Sequence, residues 1–302
     1  VNKLLHMFDQ IEKGEASWPK QLLCGLVIGI AKTRDAHEEG QFRPITLFSM
    51  LYRCWAKLRT KHMINQLSQY IPAEALGFLP HREAAEVWLM LQGQIEVMLA
   101  YDEPYCGLSS DVRRAFNHIG RPQVFQLGHH LGYPPPLLQA WQGFLTDFER
   151  RFDVRGCIGD SIKSNSGFPE GDPLSIVAML TVNWGYHLYM RQFAPKVQAY
   201  SFVDNMTLAA REAQHVFQGH FAMTNYHALF GLTMDDDKTY VWGLTTSQRQ
   251  SLQRMCFPCL YDASELGASM SYGAKIRNRH LKAGGTGMED KWKRLQRDRK
   301  SV

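Results

Sequence analysis

The feature that most constrains the fold is the segment YSFVDNMTL, residues 200–208, in which a carboxylate and an amide interrupt an apolar run. Two apolar runs separated by a short polar pair are typical of two buried strands joined by a tight turn. We therefore predict a β-hairpin with Asp204 and Asn205 at its tip. The polar pair is explained equally by a plain turn and by a metal site, because carboxylate oxygens are ligands that Mg²⁺ prefers.

Hydrophobic patterning along the rest of the chain predicts helices and strands in a mixed order. Helices are predicted over 3–12, 50–67, within 77–99, from Asp172 through 190, and from about 212 to Gly231. Residues 22–33 and 42–49 predict a hairpin with Lys32 and Arg43 at its polar end. A strand through Leu108 is predicted to become helical after Asp111, and residues 152–168 resemble a polar hairpin. Because βαβ regularity is missing from this order, we expect an α+β fold.

Composition narrows the class of protein only weakly. The net charge is +5, and basic runs with aromatic residues among them are spread along the chain, which fits a groove that follows a nucleic-acid backbone. No stretch approaches the ~20 uninterrupted apolar residues of a membrane helix, so we expect no membrane partner. Cys256 and Cys259 form a C-x-x-C without a second pair for zinc, which predicts reduced thiols in an intracellular protein.

Two aspartates become a chemical site if their strands are neighbours in one sheet. Asp111 follows one predicted strand and Asp204 lies at the hairpin tip, so both carboxylates would project to the same place. Two carboxylates on a rigid sheet suit Mg²⁺, and two such ions ~3.5–4 Å apart catalyse in-line phosphoryl displacement. Taken singly, Asp111 is explained as well by a helix N-cap, since S-S-D before a helix is a common capping pattern.

Seven segments, taken in order, resemble the fingers and palm of reverse transcriptases, closest to those of non-LTR (LINE-type) retrotransposons. The resemblance runs from about residue 15 to 280, and its motifs are QFRPITLFSMLYRCWAK, GFLPHREAAEVW, SSDVRRAFNHI, GFPEGDPLS, FVDN, GLTMDDDKT and ELGASMS. Each pattern alone is short, but the seven in order are specific. The resemblance implies a right-hand polymerase fold, with an antiparallel palm sheet packed on helices.

The resemblance also implies a role for each matching residue. Asp111 and Asp204 would hold two Mg²⁺ ions, with Asn205 beside them in the catalytic set. The dNTP would contact Lys32, Arg43, Phe116, Glu170 and Lys238. Phe116 would exclude a 2′-hydroxyl, Lys32 and Arg43 would grip the triphosphate, and Lys238 would approach the leaving pyrophosphate. Exposed surface charge explains Lys32 and Lys238 about as well. The template and primer loop would contain Gly167, Pro169, Gly171 and Ser175.

Domain boundaries follow from the same resemblance. The fingers would comprise about 1–105 and 121–155, and the palm about 106–120 and 156–280. Residues 281–302 are a basic tail that could begin a truncated thumb. Because the chain starts at Val1 rather than Met, we expect it to be a segment of a longer protein, with endonuclease and thumb segments elsewhere.

Two positions depart from the family's motifs. Glu170 stands where the family has Gln, and it places negative charge near a triphosphate unless a cation compensates. Asn205 stands where the family has a second Asp, which leaves two carboxylates to neutralise two metal ions; Asn is also favoured in a turn with positive φ. These departures predict an RNA-directed DNA polymerase that is weakened, that prefers Mn²⁺, or that is inactive.

Three functions therefore stay open at the level of sequence. The first is a reverse transcriptase of a retroelement with an RNA template, a DNA primer and dNTPs. The second is an inactive, maturase-type domain that only binds RNA, and the third is an RNA-dependent RNA polymerase, against which Phe116 argues. For a eukaryotic retroelement we expect a nuclear or nucleic-acid-associated location.

Overall fold

The computed structural model describes residues 2–255 and 260–262, which belong to two compact units. The first unit comprises the residues up to 71, 114–185 and 229–232. The second comprises 72–113, 186–228 and the described residues from 233 onward. Each unit is therefore assembled from segments that are far apart in the sequence.

The first unit contains one mixed sheet and several helices. Its helices are α1 (Asn2–Glu12), α2 (Met50–Leu67), α4 (Ala115–His118), α5 (Arg121–His130), α6 (Pro135–Asp147) and the first part of α7 (Ser175–Phe193). Its strands are β1 (Cys24–Ala31), β2 (Phe42–Leu47), β4 (Glu149–Val154), β5 (Cys157–Ile158) and β6 (Ile162–Lys163). The order is β2-β1-β4-β5, with β6 also paired to β4. The β1–β2 hairpin that the sequence predicts is present and antiparallel, and its register pairs Ile30 with Arg43.

Aromatic side chains form the core of the first unit. The rings of Tyr52 and Phe144 are stacked with their centroids 3.6 Å apart, and Phe148 stacks on Phe48 at 4.8 Å. Trp18 packs edge-on against Trp55 at 5.0 Å. Burying such large rings supplies much of the hydrophobic stabilisation of a unit of this size.

The second unit contains a five-stranded sheet covered by helices. Its strands are β3 (Cys106–Asp111), β7 (Gln198–Phe202), β8 (Asn205–Ala210), β9 (Tyr240–Gly243) and β10 (Leu260–Asp262), in the order β10-β9-β3-β8-β7. Its helices are α3 (Ala84–Ala100), α8 (Ala213–Leu229), α9 (Thr246–Arg254) and the last part of α7. Strand β3 lies in the centre and all six of its residues are buried. Trp242 and Leu91 belong to the apolar cluster beside it.

The sequence-based elements are largely confirmed. Helices α1 and α2, the β1–β2 hairpin and the β7–β8 hairpin lie where patterning predicts them. The α+β fold is also confirmed, since the second sheet is mainly antiparallel and both units combine strands with helices. The C-x-x-C of Cys256 and Cys259, the segment ELGASMS and the basic tail 281–302 lie outside the described residues.

Three local predictions are wrong. Helix α7 begins at Ser175 and not at Asp172–Pro173, although the Asp172 carboxylate still accepts from the Leu174 amide, as an N-cap does, and its other oxygen accepts from the Tyr52 hydroxyl. Strand β3 extends to Asp111, and the next helix, α4, has Arg114 at its N-cap position, which excludes the N-cap interpretation of Asp111. In the β7–β8 turn the positive φ, 61°, is at Val203, while Asn205 is already a strand residue.

A search for helices long and apolar enough to cross a lipid bilayer found none among the described residues.

Candidate active site

The acidic pair lies in the second unit, where two neighbouring strands meet. Strand β3 ends at Asp111 and strand β8 begins at Asn205, and the antiparallel register places these two residues opposite each other. The Val112 amide donates to the carbonyl of Asp204 at 2.9 Å, which fixes the turn beside the end of β3. Asp111 is buried and Asp204 is partly exposed. The sheet therefore brings the two predicted metal ligands to the same edge.

Lys238 is the third charged member of this site. It is the last residue of a single turn of 3₁₀ helix, Asp236–Lys238, and its ammonium group donates a hydrogen bond to Asp111 Oδ2. A second carboxylate, Asp235 Oδ2, lies 3.6 Å from the same nitrogen. Burial opposes the charge on Lys238, but the hydrogen bond and charge of Asp111 outweigh it, so the pKa of Lys238 is raised. Lys238 therefore carries a proton at neutral pH.

Backbone and hydroxyl hydrogen bonds hold the Lys238 segment against β3. The Asp235 amide donates to the carbonyl of Asp111 at 2.7 Å. The Thr239 hydroxyl lies 2.6 Å from the Ser110 hydroxyl and donates to the Asp235 carbonyl at 2.8 Å. These contacts fix the position of Lys238 relative to the carboxylate it binds.

The β7–β8 turn is strained at the residue before Asp204. Val203 is β-branched and adopts φ 61°, a conformation that such residues rarely take. Gly77 supports the turn from the other side, because a Cβ there would lie 2.5 Å from the Val203 nitrogen. The exposed Asn205 side chain donates to Asp204 Oδ1 at 3.3 Å. The amide that replaces the family's second Asp is thus hydrogen-bonded to the first.

The oxygen donors present fit a magnesium site with few protein ligands. Asp235 Oδ1 is buried without a hydrogen-bond partner among the described residues. A bound cation or a water molecule would supply the partner that such a buried oxygen needs. Within that same part of the chain, no group of three or more His, Cys, Asp or Glu side chains is arranged to hold a metal ion. A bound Mg²⁺ would therefore take most of its shell from water and substrate, as Mg²⁺ commonly does.

The glycine-containing loop lies in the first unit, and both glycines are required by its backbone path. Gly167 has φ 71° and Gly171 has φ 108°. A Cβ would lie 2.4 Å from the Asn117 carbonyl oxygen at Gly167 and 2.4 Å from the Thr46 carbonyl oxygen at Gly171. These close approaches are to the protein's own backbone, so an approach of the loop to a nucleotide stays a prediction.

Glu170, the second departure from the family pattern, is partnered by a cation. Its carboxylate accepts a hydrogen bond from the Asn117 amide at 3.2 Å, and Arg43 Nε lies 3.6 Å from its other oxygen. The Glu170 side chain is 21% exposed and that of Arg43 is 64% exposed. The Glu170 carbonyl also accepts from the Thr46 amide at 2.7 Å, three residues after Arg43 on strand β2. Arg43 and Glu170 therefore neutralise each other.

Buried polar groups anchor the two ends of this loop. Arg121 donates to the carbonyls of Gly167 at 2.7 Å, Ser164 at 2.7 Å and Leu145 at 2.9 Å. At the other end, burial raises the pKa of Asp172 to about 7, although the Leu174 amide and the Tyr52 hydroxyl lower it. Ser175 and Pro169 are also buried.

The other predicted substrate residues also lie in the first unit. Lys32 is exposed and donates to the Gly40 carbonyl at 3.0 Å. Phe116 is partly buried in α4, and its carbonyl accepts from the Phe168 amide at 2.6 Å, which links it to the loop. The Ser175 hydroxyl donates to the Pro169 carbonyl at 2.9 Å, so Ser175 fixes the loop rather than covering a helix surface.

Several residues of the site escape sequence reasoning. Asn117, Arg121, Asp172, Tyr52, Asp235 and Thr239 all hold predicted site residues in place. Asp235 and Thr239 could have been selected from the sequence, because they belong to the motif GLTMDDDKT that already contains Lys238. Tyr52, Asn117 and Asp172 likewise lie within the motifs QFRPITLFSMLYRCWAK, SSDVRRAFNHI and GFPEGDPLS. Arg121 lies outside every motif and acts through contacts with residues far from it in the sequence.

Comparison with known proteins gives concordant results. A family model described as reverse transcriptase (RNA-dependent DNA polymerase) matches residues 30–253. A structure of apo telomerase from Candida tropicalis, truncated from its C-terminal domain, is similar with a TM-score of 0.57 and 11% identity over 80% of this chain and 55% of that chain. Telomerase from Candida albicans, in complex with a TWJ fragment of telomeric RNA, has a TM-score of 0.58 and 12% identity over 82% of this chain and 46% of that chain.

These likenesses bear on fold. The chain spans about half the length of the solved structures that it matches. At such low identity the comparison speaks for a shared architecture alone, and it confirms the fingers–palm polymerase fold expected from the motifs.

Proposed function

The chain belongs to the reverse transcriptase (RNA-dependent DNA polymerase) family, and from this premise we propose that it transfers dNTPs to a DNA primer on an RNA template, as part of a non-LTR retroelement. The observation that carries the proposal is the register of β3 and β8, which sets Asp111 opposite Asn205 and beside Asp204. Two carboxylates at one edge of a sheet support a proposal of two-metal nucleotidyl transfer. We further propose that the fingers comprise about 1–105 and 121–155, and the palm about 106–120 and 156–280.

Each residue of the site would have a distinct role in this reaction. Asp111 and Asp204 would hold two Mg²⁺ ions, which would activate the primer hydroxyl and stabilise the leaving pyrophosphate. The hydrogen bond to Asn205 orients the Asp204 carboxylate. Lys238 carries a proton at Nζ, and we assign it to the leaving pyrophosphate. Before that it must leave Asp111, because a lysine and a metal ion compete for the same oxygen.

The residues of the first unit would bind the nucleotide. Arg43 and Lys32 would bind the triphosphate, with Arg43 released from Glu170 as the anion replaces the carboxylate. Phe116 would lie under the sugar and select dNTPs over NTPs. The loop from Gly167 to Ser175 would position template and primer, and the backbone contacts of its glycines keep it in one conformation.

Primer extension on an RNA template, first with Mg²⁺ and then with Mn²⁺, tests the proposal. We expect extension with dNTPs, stronger with Mn²⁺, and its loss in Asp111→Asn. The matched control is Asp160→Asn, which removes one exposed carboxylate outside the site. The absence of product with either metal, from folded protein that still binds a primer–template duplex, would contradict polymerase activity.

One observation favours a second candidate function, an RNA-binding domain of the maturase type without polymerase activity. The ion pair with Lys238 occupies an oxygen of Asp111 that a metal ion would otherwise bind, and the amide at Asn205 adds no charge, so both weaken the attraction of this edge for divalent ions. This function predicts salt-sensitive RNA binding that is independent of divalent metal and survives Asp111→Asn.

A further inference from the structure

Helix α2 has an exposed face with unbalanced positive charge. Between Met50 and Leu67 the chain contains basic residues and His62, and no acidic residue. Arg53, Lys57 and Lys61 are exposed. They are spaced four residues apart, so they follow one another along the helix at intervals of about 6 Å. We call Arg53, Lys57 and Lys61 the α2 stripe.

A further basic residue of α2, Arg59, differs from the α2 stripe because its charge is paired with a carboxylate of the same protein. Arg59 donates from Nε and Nη2 to the two carboxylate oxygens of Glu12, each at 2.6 Å, in a bidentate pair that joins α2 to α1. No such carboxylate lies within ion-pairing distance of the α2 stripe in the part of the chain that the structure describes. The charges of the α2 stripe are therefore available to a ligand, whereas the charge of Arg59 is paired with Glu12 between two helices.

A pocket of roughly 220 Å³ lies at the C-terminal end of the same helix. Gln66 and Gln69 line it with side-chain amides, and Tyr70 and Trp184 line it with aromatic rings. Tyr70 is 68% exposed and Trp184 is partly exposed. Flat rings stack on nucleobases of any sequence, and amides both donate to and accept from base edges.

We propose that the α2 stripe and this pocket form an interaction surface for single-stranded nucleic acid, with phosphates on the stripe and a base in the pocket. Charge complementarity supports this occupant, since successive cations along one helix face suit the successive phosphates of an extended strand. The aromatic and amide lining supplies contacts that a phosphate-binding patch alone would lack. The surface is independent of polymerase chemistry and uses none of the residues proposed to bind metal or dNTP.

Fluorescence anisotropy with a labelled, unstructured single-stranded RNA tests the proposal across a series of salt concentrations. Each cation that contacts a phosphate contributes about −0.7 to the slope of log K against log[salt]. Arg53→Gln/Lys57→Gln/Lys61→Gln should therefore reduce the magnitude of this slope by about 2. Lys61→Gln alone should lower it by about 0.7. Tyr70→Ala should weaken binding about tenfold and leave the slope unchanged, because stacking is not electrostatic.

The matched control is Lys3→Gln/Lys20→Gln/Lys196→Gln, which removes the same charge from exposed positions elsewhere. This control should keep the wild-type slope, and Asp111→Asn should keep the surface active even if polymerisation is lost. A stripe variant with the slope of the control would overturn the proposal. So would a stripe variant that keeps its RNA affinity but no longer binds vesicles of phosphatidylserine and phosphatidylcholine, since the surface would then be a lipid site.

Discussion

Replacing Glu170 by Gln should strengthen dNTP binding, because Glu170 competes with the triphosphate for Arg43. In the structure the carboxylate lies 3.6 Å from Arg43 Nε and is held on its other side by the Asn117 amide. A Gln side chain can keep a hydrogen bond with Asn117, and it carries no charge. Arg43 would then be available to the substrate without first breaking an ion pair.

The size of the effect follows from the exposure of the pair. Two unit charges at this separation attract by about 1 kcal/mol in a medium as polar as water. Because Arg43 is 64% exposed, solvent screening reduces this attraction to the ~0.2–1 kcal/mol measured for surface pairs. The KM for dNTP should therefore fall by a factor of about 1.4 to 5 in Glu170→Gln, with kcat little changed.

Steady-state primer extension at fixed metal concentration measures this change. Glu15→Gln, an exposed carboxylate elsewhere in the first unit, is the matched control and should leave KM unaltered. Arg43→Gln should raise KM more when it is combined with Glu170→Gln than when it is made in the wild type, because only without the carboxylate is Arg43 fully available. An unchanged or higher KM in Glu170→Gln would refute the competition between carboxylate and triphosphate.

Three other predictions test the acidic site and the loop. Asn205→Asp restores a third carboxylate, and it should lower the Mg²⁺ concentration for half-maximal extension on the order of tenfold in a metal titration. Gly171→Ala, with φ 108° and a Cβ 2.4 Å from the Thr46 carbonyl, should lower the free energy of unfolding by about 2–4 kcal/mol in urea, whereas Gly143→Ala, where a Cβ meets nothing within 4 Å, should not. Asp172 has its pKa raised from 3.8 to about 7, so the folded chain keeps a proton that the unfolded chain releases, and this group makes stability fall as pH rises from about 4 to 7. The difference in unfolding free energy between Asp172→Asn and wild type should therefore change across that window by up to about 4 kcal/mol, and a constant difference would contradict the raised pKa.

Much of the fold is predictable because local rules and tertiary packing agree. Helix α2 has the predicted bounds: Ser49 caps it by accepting from the Tyr52 amide, and its buried residues recur at helical spacing. The β7–β8 hairpin is predictable because two apolar runs flank a polar turn, and burial of both strands leaves few other registers.

Other features were mispredicted where distant residues outweigh local preference. Asp172 before Pro173 has the sequence of a helix N-cap, and its Oδ1 does accept from the Leu174 amide, but the regular helix begins only at Ser175 and Oδ2 is held by the Tyr52 hydroxyl in the core of the first unit. Positive φ was expected at Asn205, which tolerates it, and is found at Val203, which does not. There the pairing of the strands decides the turn, and the preference of the single residue is overridden.

The charge pairing of the predicted site residues depends on contacts within each unit that the order of residues does not encode. Motif order nominates Asp111, Lys238, Arg43 and Glu170 separately. Their pairing into Lys238 with Asp111 and Arg43 with Glu170 arises only when strands or loops from distant parts of the chain meet. From the sequence one can predict that a cation compensates Glu170, but one cannot predict that this cation is Arg43.

The central position of β3 has a consequence for how the chain is made. Leu108 pairs with Leu208 on one side and Val241 on the other, so both neighbours of this buried strand are translated long after it. During synthesis β3 therefore stays unpaired on both edges until β8 and β9 have been translated. An apolar segment in this state is prone to aggregation, and its late pairing slows folding. A nascent chain stalled before β8 should therefore depend on chaperones, and the carboxylate of Asp111 should reach its final surroundings only late in translation.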